Sequence, residues 1–496
     1  MRTSGILLPI FSLPGKYGIG CFSKAAYDFV DFLAKSNQTY WQILPLGPTS
    51  YGDSPYQSFS TFAGNPYFIS LEGLIEEGLL TDKECNEVDF GKSDNHIDYE
   101  ILYKNRFSLL KKAYKRANLT LDKEYEEFIE KNQYWIEDYA LYMSVKNHFG
   151  DVCFQEWDED IKKRDEEAIN RYQVELKDDI NFYKFLQYKF MQQWMELKKY
   201  ANSKNVKIIG DIPIYVSFDS SETWAHPELF ELDEEKRLIS VAGCPPDGFS
   251  ADGQLWGNPI YRWDYHKETD YSWWKLRMEK CKELYDVIRI DHFRGFDEFY
   301  SIPANATTAK EGKWRKGPGI SLFNSLKEIL SDINIIAEDL GFVTDTVKKL
   351  VKDTGFPNMK VLEFAFDERD TGNSSDYLPH NYVKNSVVYT GTHDNETVVG
   401  WLENITEKEL ASVKRYFDYS GDDAAELTDK IIRYAHLSVA DTCIIPMQDY
   451  LHLDNSARIN TPSTLGNNWV WRMNYEDIND ELSKKLGELT VLYGRG

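Results

Sequence analysis

What this sequence lacks narrows its class before any motif is read. Its six cysteines, at 21, 85, 153, 244, 281 and 443, are scattered, with no CxxC pair and no metal-ligand spacing. That pattern argues against a disulfide-stapled scaffold and a zinc module, and it predicts reduced thiols in a cytoplasmic setting. No run of about 18 apolar residues occurs, so no membrane-spanning helix is expected. The opening MRTSGILLPIFSLPG has one early arginine and an apolar run broken by Pro9 and Pro14, unlike a signal peptide. Positive charge is short: 57 basic side chains face 81 acidic ones, a net of −24. Binding to nucleic acid works by displacing counterions with basic side chains, so no such partner is expected. There is no internal repeat and no low-complexity linker. A GxSxG elbow is missing too, which removes a Ser–His–Asp hydrolase.

What is present is a soluble composition with an aromatic surplus. Hydrophobic residues make up 42% and charged residues 28%, enough for a large folded core. Aromatics reach 15%, with 13 Trp and 32 Tyr. Such rings pack cores, and they also stack on the C–H faces of sugars.

Short apolar runs that end in a turn recur along the chain, as buried strands do. They are Ile6–Leu8, Thr39–Leu44, Val206–Ile209, Val287–Ile290, Ile333–Ala337, Val361–Phe366, Val387–Thr390 and Cys443–Pro446. Helical patterns such as Ala25–Ala34 and Asp345–Lys352 lie between them. This alternation predicts a parallel sheet with crossover helices. About eight such strands predict an α/β fold, a (β/α)8 TIM barrel with its chemistry on the loops after the strands. An open doubly wound sheet is the alternative, weakened because no glycine-rich phosphate fingerprint follows the first strand.

Residues 1–496 therefore read as one catalytic barrel carrying inserted subdomains. Residues 71–200 read as a mainly helical insertion. Trp135, Tyr139 and Tyr142, then Tyr183, Leu186, Phe190, Trp194 and Leu197, recur at helical spacing, and these rings are expected to pack the insert onto the barrel. Residues 212–285 form a second insertion. Its segment 243–261, GCPPDGFSADGQLWGNPIY, is punctuated by glycine and proline. It is predicted to be a mobile lid loop around Trp256, neither helix nor strand.

The stretch 287–295, VIRIDHFRG, ends an apolar strand in two guanidiniums flanking a carboxylate and an imidazole. Asp291, Glu338 and Asp394 each lie just past a different predicted strand, and Asp211 follows a fourth. In a barrel all four face one mouth. Crowded like charges raise one another's pKa values, so one group can stay ionised while another keeps a proton. Arg289 is expected to hold Asp291 as the anion through a charge-assisted hydrogen bond. Retaining cleavage of a glycosidic bond uses a nucleophile and an acid/base about 5–5.5 Å apart. Asp291 is assigned as the nucleophile, Glu338 as the acid/base and Asp394 as the transition-state stabiliser that binds sugar hydroxyls. His292 and His393 can hydrogen-bond the same sugar. A lone aspartate after a strand is as readily a cap or turn former, so the joint occurrence carries this reading. His393–Asp394 has no further ligands at metal spacing, and neither metal nor cofactor is expected.

With these residues the sequence resembles the amylomaltases, the bacterial 4-α-glucanotransferases of glycoside hydrolase family 77. The likeness runs nearly end to end. SGILLPIFSLPGKYGIG, WQILPLGPTSYGDSPYQSFSTFAGNPY, GDIPIYV, DGFSADGQLWGNPIY, RIDHFRG, AEDLG, GTHDN and ARINTPSTLGNNWVWR occur in the family's order. The resemblance implies a (β/α)8 barrel with inserted subdomains. It implies transfer of an α-1,4-glucan segment to the 4-OH of another glucan or of glucose, by a retaining double displacement. It also implies the same three roles for Asp291, Glu338 and Asp394. Arg289, His292 and His393 fall on sugar-contacting positions, Tyr56 on the stacking tyrosine, and Asp211 and Trp256 on donor- and acceptor-side contacts. Asn460 falls on a further sugar contact.

Two departures stand out. Pro9-Ile10-Phe11-Ser12 replaces the His-Pro-Thr-Ser of many members. Ser463 follows the proline of the NTP motif where many have glycine, and serine adopts a positive φ at greater cost. The chain begins close to the first barrel strand, so no N-terminal starch-binding domain is expected. Two other readings stay open at this point: an α-1,4-glucan hydrolase of α-amylase type, and a glucan-binding protein without turnover.

Overall fold

The computed structural model describes residues 2–246, 252–341, 343–367 and 374–496. Along the described chain the strands are β1 (Thr3–Leu7), β2 (Tyr40–Gln42), β3 (Lys207–Ile212), β4 (Ser240–Cys244), β5 (Gln254–Pro259) and β6 (Val287–Ile290). They continue with β7 (Glu298–Pro303), β8 (Lys313–Lys316), β9 (Asn334–Ala337), β10 (Asn358–Val361), β11 (Ser386–Tyr389) and β12 (Thr442–Pro446). Eight of them close a parallel barrel in the order β1-β12-β11-β10-β9-β6-β3-β2, and the other four form a sheet ordered β5-β4-β7-β8. All eight apolar runs of the sequence fall on or overlap a barrel strand, except that the run at 361–366 touches its strand only at Val361.

Alternation along each strand decides what points inward. Leu7, Ile209, Val287, Ile336, Met359, Val361, Val387, Tyr389 and Ile444 form one apolar cluster inside the barrel. Their neighbours Ile208, Ile288, Ile335 and Val388 join the larger core between the strands and the helices. On β6 the inward series is therefore Val287, Arg289 and Asp291, apolar at the base and ionic at the mouth.

Two strand boundaries depart from the sequence reading, and both bear on the site. β3 runs on to Ile212, so Asp211 lies within the strand, 1% exposed, and not on a turn beyond it. Gly210 looked like the turn. Its real task is close approach, because a Cβ there would meet the Tyr285 ring at 2.1 Å. β10 ends at Val361, and Leu362–Phe366 is a 3-10 helix. An apolar run without a clear period fits either state. The 3-10 turn packs Phe366 against Trp401, Tyr416 and Phe417 and buries Glu363.

Between β2 and β3 the chain is helical, with its longest helices at Tyr99–Arg116, Gln133–His148 and Lys177–Ser203. All eight periodic residues from Trp135 to Leu197 are buried. Trp194 also donates its indole N–H to the Leu284 carbonyl at 3.1 Å, tying the last helix to the segment before β6. The 243–261 segment is not the loop its glycines predicted. β4 and β5 pair antiparallel, and β4 continues onto β7. Gly243 is needed where the register shifts, because a Cβ would meet the Gln254 carbonyl oxygen at 2.1 Å. Residues 247–251 of the expected lid lie outside the described residues.

The barrel closes by pairing β1 with β12, from Thr3 opposite Thr442 to Leu7 opposite Pro446. Arg495, fully buried, latches this seam. Its guanidinium donates to the carbonyls of Thr3, His436, Ser438, Ala440 and Asp441.

Candidate active site

Register brings the first two acids together. Ile290 pairs with Ala337, so Asp291 and Glu338 are the next residues on adjacent strands. The ladder continues past the strand ends: Glu338 N–H donates to Ile290 O at 3.1 Å and Phe293 N–H to Glu338 O at 3.0 Å. His292 takes a left-handed conformation, φ +50°. Its N–H donates to Glu338 Oε2 at 2.6 Å, while Leu340 N–H donates to Oε1 at 2.9 Å. The Glu338 carboxyl is thus fixed at both oxygens.

Arg289 does not serve Asp291 alone, as the sequence had led us to expect. Its Nη1 donates to both Asp211 oxygens, at 2.8 and 2.6 Å, and stands 3.1 Å from Asp291 Oδ1. Because Asp211 lies inside the barrel, it is the closer counter-ion. Tyr56, on the loop after β2, donates its O–H to Asp211 Oδ2 at 2.8 Å. The Tyr56 ring stacks on His393, with centroids 5.1 Å apart and planes 15° from parallel. His393 Nε2 lies 3.3 Å from Asp394 Oδ2, and Asn460 Nδ2 donates to Asp394 Oδ1 at 2.6 Å. Asp394 sits in the GTHDN loop, some residues beyond β11 and not at its very end.

One unbroken series of contacts therefore joins Asn460, Asp394, His393, Tyr56, Asp211, Arg289 and Asp291, with Glu338 on the neighbouring strand. Trp256, on β5, completes the mouth. It meets the His292 ring edge to face at 4.8 Å and 87°. Gln57 Nε2 donates to the Trp256 carbonyl at 3.3 Å and to Asn258 Oδ1 at 3.2 Å, fastening β5 to the Tyr56 loop.

The electrostatics separate the acids. Burial lifts the carboxyls of Asp291 and Glu338 above their ordinary values; Arg289 opposes this, while the other acids, with Glu338 acting on Asp291, add to it. Asp394 goes the other way. Burial works against its charge, but His393 and the Asn460 donor outweigh that and hold its carboxyl down at about 2. For His393, burial disfavours the cation, yet Asp394 wins and raises it. Burial, then the neighbouring Arg294, drives His292 down to about 3, so it is a neutral imidazole. Its buried Nε2 has no hydrogen-bond partner among the described residues.

Several residues of the site escaped the sequence reading. Trp469 lies 5.9 Å from Tyr56 and 6.0 Å from His393, ring to ring. Arg458 donates to the backbone oxygens of Asp394 and Asn460. Both sit inside the ARINTPSTLGNNWVWR motif, which was the available signal. Glu363 and Asp449 hold the GTHDN loop from below. Asn395 Nδ2 donates to Glu363 Oε2 at 3.2 Å, and Asp449 accepts from Thr390 Oγ1 at 2.5 Å and Val398 N–H at 2.9 Å. Burial raises both carboxyls, that of Asp449 to about 6. Ser463 does take the left-handed conformation, φ +63°, on an exposed loop.

The family model described as 4-alpha-glucanotransferase matches residues 8–478. The chain is 50% identical over 489 residues to the 4-alpha-glucanotransferase of Clostridium butyricum, covering 98% of this chain and 99% of that one. It is 48% identical over 497 residues to that of Streptococcus pneumoniae, covering 100% and 97%. Among solved structures, the amylomaltase from Streptococcus agalactiae in complex with acarbose superposes with a TM-score of 0.96 at 44% identity, over 100% of both chains.

Proposed function

The chain belongs to the 4-alpha-glucanotransferases of glycoside hydrolase family 77, and from that premise we propose how its own residues carry the transfer. The donor is an α-1,4-glucan and the acceptor a second glucan or glucose. Asp291 attacks C1 of a donor glucosyl unit while Glu338 gives its proton to the departing glycosidic oxygen. A glycosyl ester on Asp291 results. The acceptor 4-OH then attacks C1 and returns its proton to Glu338, so the anomeric configuration is retained.

The proton must reside on Glu338 and the charge on Asp291. Arg289 Nη1, 3.1 Å from Asp291 Oδ1, favours charge on Asp291, while two backbone amides at Glu338 work against a proton there. Burial and the neighbouring acids push Asp291 up to about 7, so the two carboxyls titrate as a pair and the ester-forming state is the one with the proton on Glu338. Asp394 stays ionised, since its pKa lies far below neutral. It faces the positive charge that develops at C1, as an anion held in place by His393 and Asn460. Neutral His292 and the His393–Asp394 pair meet sugar hydroxyls, and Tyr56 and Trp256 offer aromatic surface.

The unbroken contact series through Asp394, Tyr56, Asp211, Arg289 and Asp291 is the observation that carries this reading. Relatives named 4-alpha-glucanotransferase at 48–50% identity favour transfer over hydrolysis of α-amylase type. Maltodextrins and storage glucans are the expected substrates, and the cytoplasm the expected setting. Incubation with maltotriose tests it. A ladder of longer glucans plus glucose at a constant reducing-end count is expected, and a rising count rejects transfer. Glu338→Gln should lower the rate by about 10²–10⁴-fold while keeping affinity for maltooligosaccharide; an unchanged rate would remove Glu338 from the chemistry.

A further inference from the structure

Arg289 has a second attachment besides the two carboxylates it divides its charge between. While Nη1 serves Asp211 and Asp291, its Nε donates to the Sδ of Met359 at 3.4 Å, and that sulfur is the acceptor Nε has among the described residues. A thioether is a weak acceptor, but it is polarizable and here it meets a cationic donor. Both side chains are buried, and Met359 belongs to the apolar cluster inside the barrel.

Met359 is itself pinned from the catalytic side. Its N–H donates to Asp339 Oδ1 at 3.1 Å, and Asp339 is the residue after Glu338. β9 and β10 share a single paired position, Asn358 with Ala337, fewer than any other neighbours in the barrel. The Asp339 bond therefore adds a fastening where the sheet is least paired, and it sets the height of Met359 relative to Glu338. A closed ring of contacts results. It runs from Asp291 to Arg289, Met359 and Asp339, and returns through Glu338, whose N–H bonds Ile290 O.

What this ring does for the chemistry follows from the shape of a guanidinium. The group is planar and rigid, so a bond at Nε fixes where Nη1 lies. Nη1 stands 2.6 Å from Asp211 and 3.1 Å from Asp291. A guanidinium free to turn would settle on Asp211, which already accepts from it twice, and withdraw from Asp291. The Met359 sulfur opposes that turn.

We propose that Met359 and Asp339 are positioning residues of the transfer: the thioether seats the Arg289 guanidinium against Asp291, and Asp339 holds the thioether at that height. The assignment rests on Asp291 being the nucleophile. The groups that face this guanidinium are Asp211 on β3, Asp291 past β6, Tyr56 on the loop after β2 and Glu338 past β9. Met359 is neutral, so exchanging it for another neutral side chain moves a charge without adding or removing one.

The pH profile of kcat/KM for maltotriose disproportionation by full-length Met359→Leu tests the proposal. Methionine and leucine are among the best tolerated core exchanges. Without the acceptor, Arg289 leans to Asp211 and Asp291 loses part of the cation that favours its anion. The acidic limb, an apparent value for the Asp291–Glu338 pair, should move up by about half a unit to one unit, so that the rate on that limb falls about three- to tenfold relative to the optimum. Asp339→Asn and Asp339→Ala form the second arm. Asp339 faces Lys360 and Glu338, and both variants lose the same carboxyl, so they are compared with each other. Only the asparagine keeps an acceptor for the Met359 N–H, and the limb of the alanine variant should lie above it by a similar amount. A merely structural Met359 would lower the urea midpoint and leave the limb in place. A limb that stays put or moves down in Met359→Leu, or one shared by the two Asp339 variants, overturns the proposal. Should Met359→Leu fail to fold, the Asp339 pair decides. Asp291→Asn judges the nucleophile separately: if it keeps the wild-type rate, that reading fails, whereas a wild-type limb that none of these variants moves defeats the positioning alone.

Discussion

Replacing Asp211 by asparagine removes one buried charge and nearly keeps the side chain's shape; its single amide oxygen can still accept from Tyr56 and Arg289, while the second bond from Arg289 is lost. Arg289 Nη1 lies 2.6 Å from an Asp211 oxygen and 3.1 Å from an Asp291 oxygen. The two carboxylates are therefore within about 6 Å of each other, where like charges repel by about 3 kcal/mol at an effective dielectric near 20. Asp291 is 27% exposed, so water screens part of this. A shift of about one to two pKa units remains. Its sign is fixed. The Asp291 carboxyl is held above its ordinary value in part by Asp211, so losing that repulsion lets it ionise at lower pH. Arg289 also ceases to divide its charge. The acidic limb of the kcat/KM profile should move down by about one to two units, read as an apparent value for the Asp291–Glu338 pair. The assay is glucose release from maltotriose across the pH range, each profile normalised to its own maximum so that a uniform change in rate does not enter. An acidic limb that stays put, or moves up, would refute the shared-guanidinium account of the site.

Asn460→Ala removes the donor to Asp394 Oδ1; a hydrogen bond to a charged group contributes about 1.5–3 kcal/mol, so kcat should fall about 10- to 100-fold with unfolding in urea little changed. Burial raises the Glu363 carboxyl well above its ordinary value, and a glutamine oxygen can still accept from Asn395, so Glu363→Gln should hold its rate within about twofold. Glu363→Ala strands the Asn395 amide and should cost about 1–3 kcal/mol in thermal unfolding, with loss of kcat as the loop under Asp394 loosens. Ser463→Gly relieves a left-handed serine that costs about 1–2 kcal/mol against about 0.5–1 kcal/mol of added chain entropy; a net stabilisation of about 0.5 kcal/mol should appear in denaturant titration.

The barrel was legible because each of its strands is a short apolar run stopped by polar residues, and that pattern follows directly from burial on both faces. Asp291 and Glu338 were legible for the same reason, standing one residue past such a run. What the pattern hides is where a strand ends when glycine serves close packing. Gly210 made Asp211 look like a turn residue, and the glycines of 243–261 disguised the β4–β5 pairing. VLEFAF shows the converse failure, since a buried 3-10 turn has the apolar density of a strand. Glu363 and Asp449 gave no signal at all. Their partners, Asn395 for one and Thr390 and Val398 for the other, are 32 to 59 positions away in the chain, and nothing local marks a carboxyl that will end up beneath another strand's loop.

The seam between β1 and β12 has a consequence for biosynthesis. Thr3 and Thr442 become neighbours only after nearly the whole polypeptide has left the ribosome. Until then β1 has an open edge, the kind of unpaired strand that invites wrong partners. Contacts of such long sequence separation also form slowly. The catalytic pocket is thus absent from every nascent intermediate, and a chaperone that shields the waiting edge should raise the yield of active enzyme more than one that acts on the helical insert.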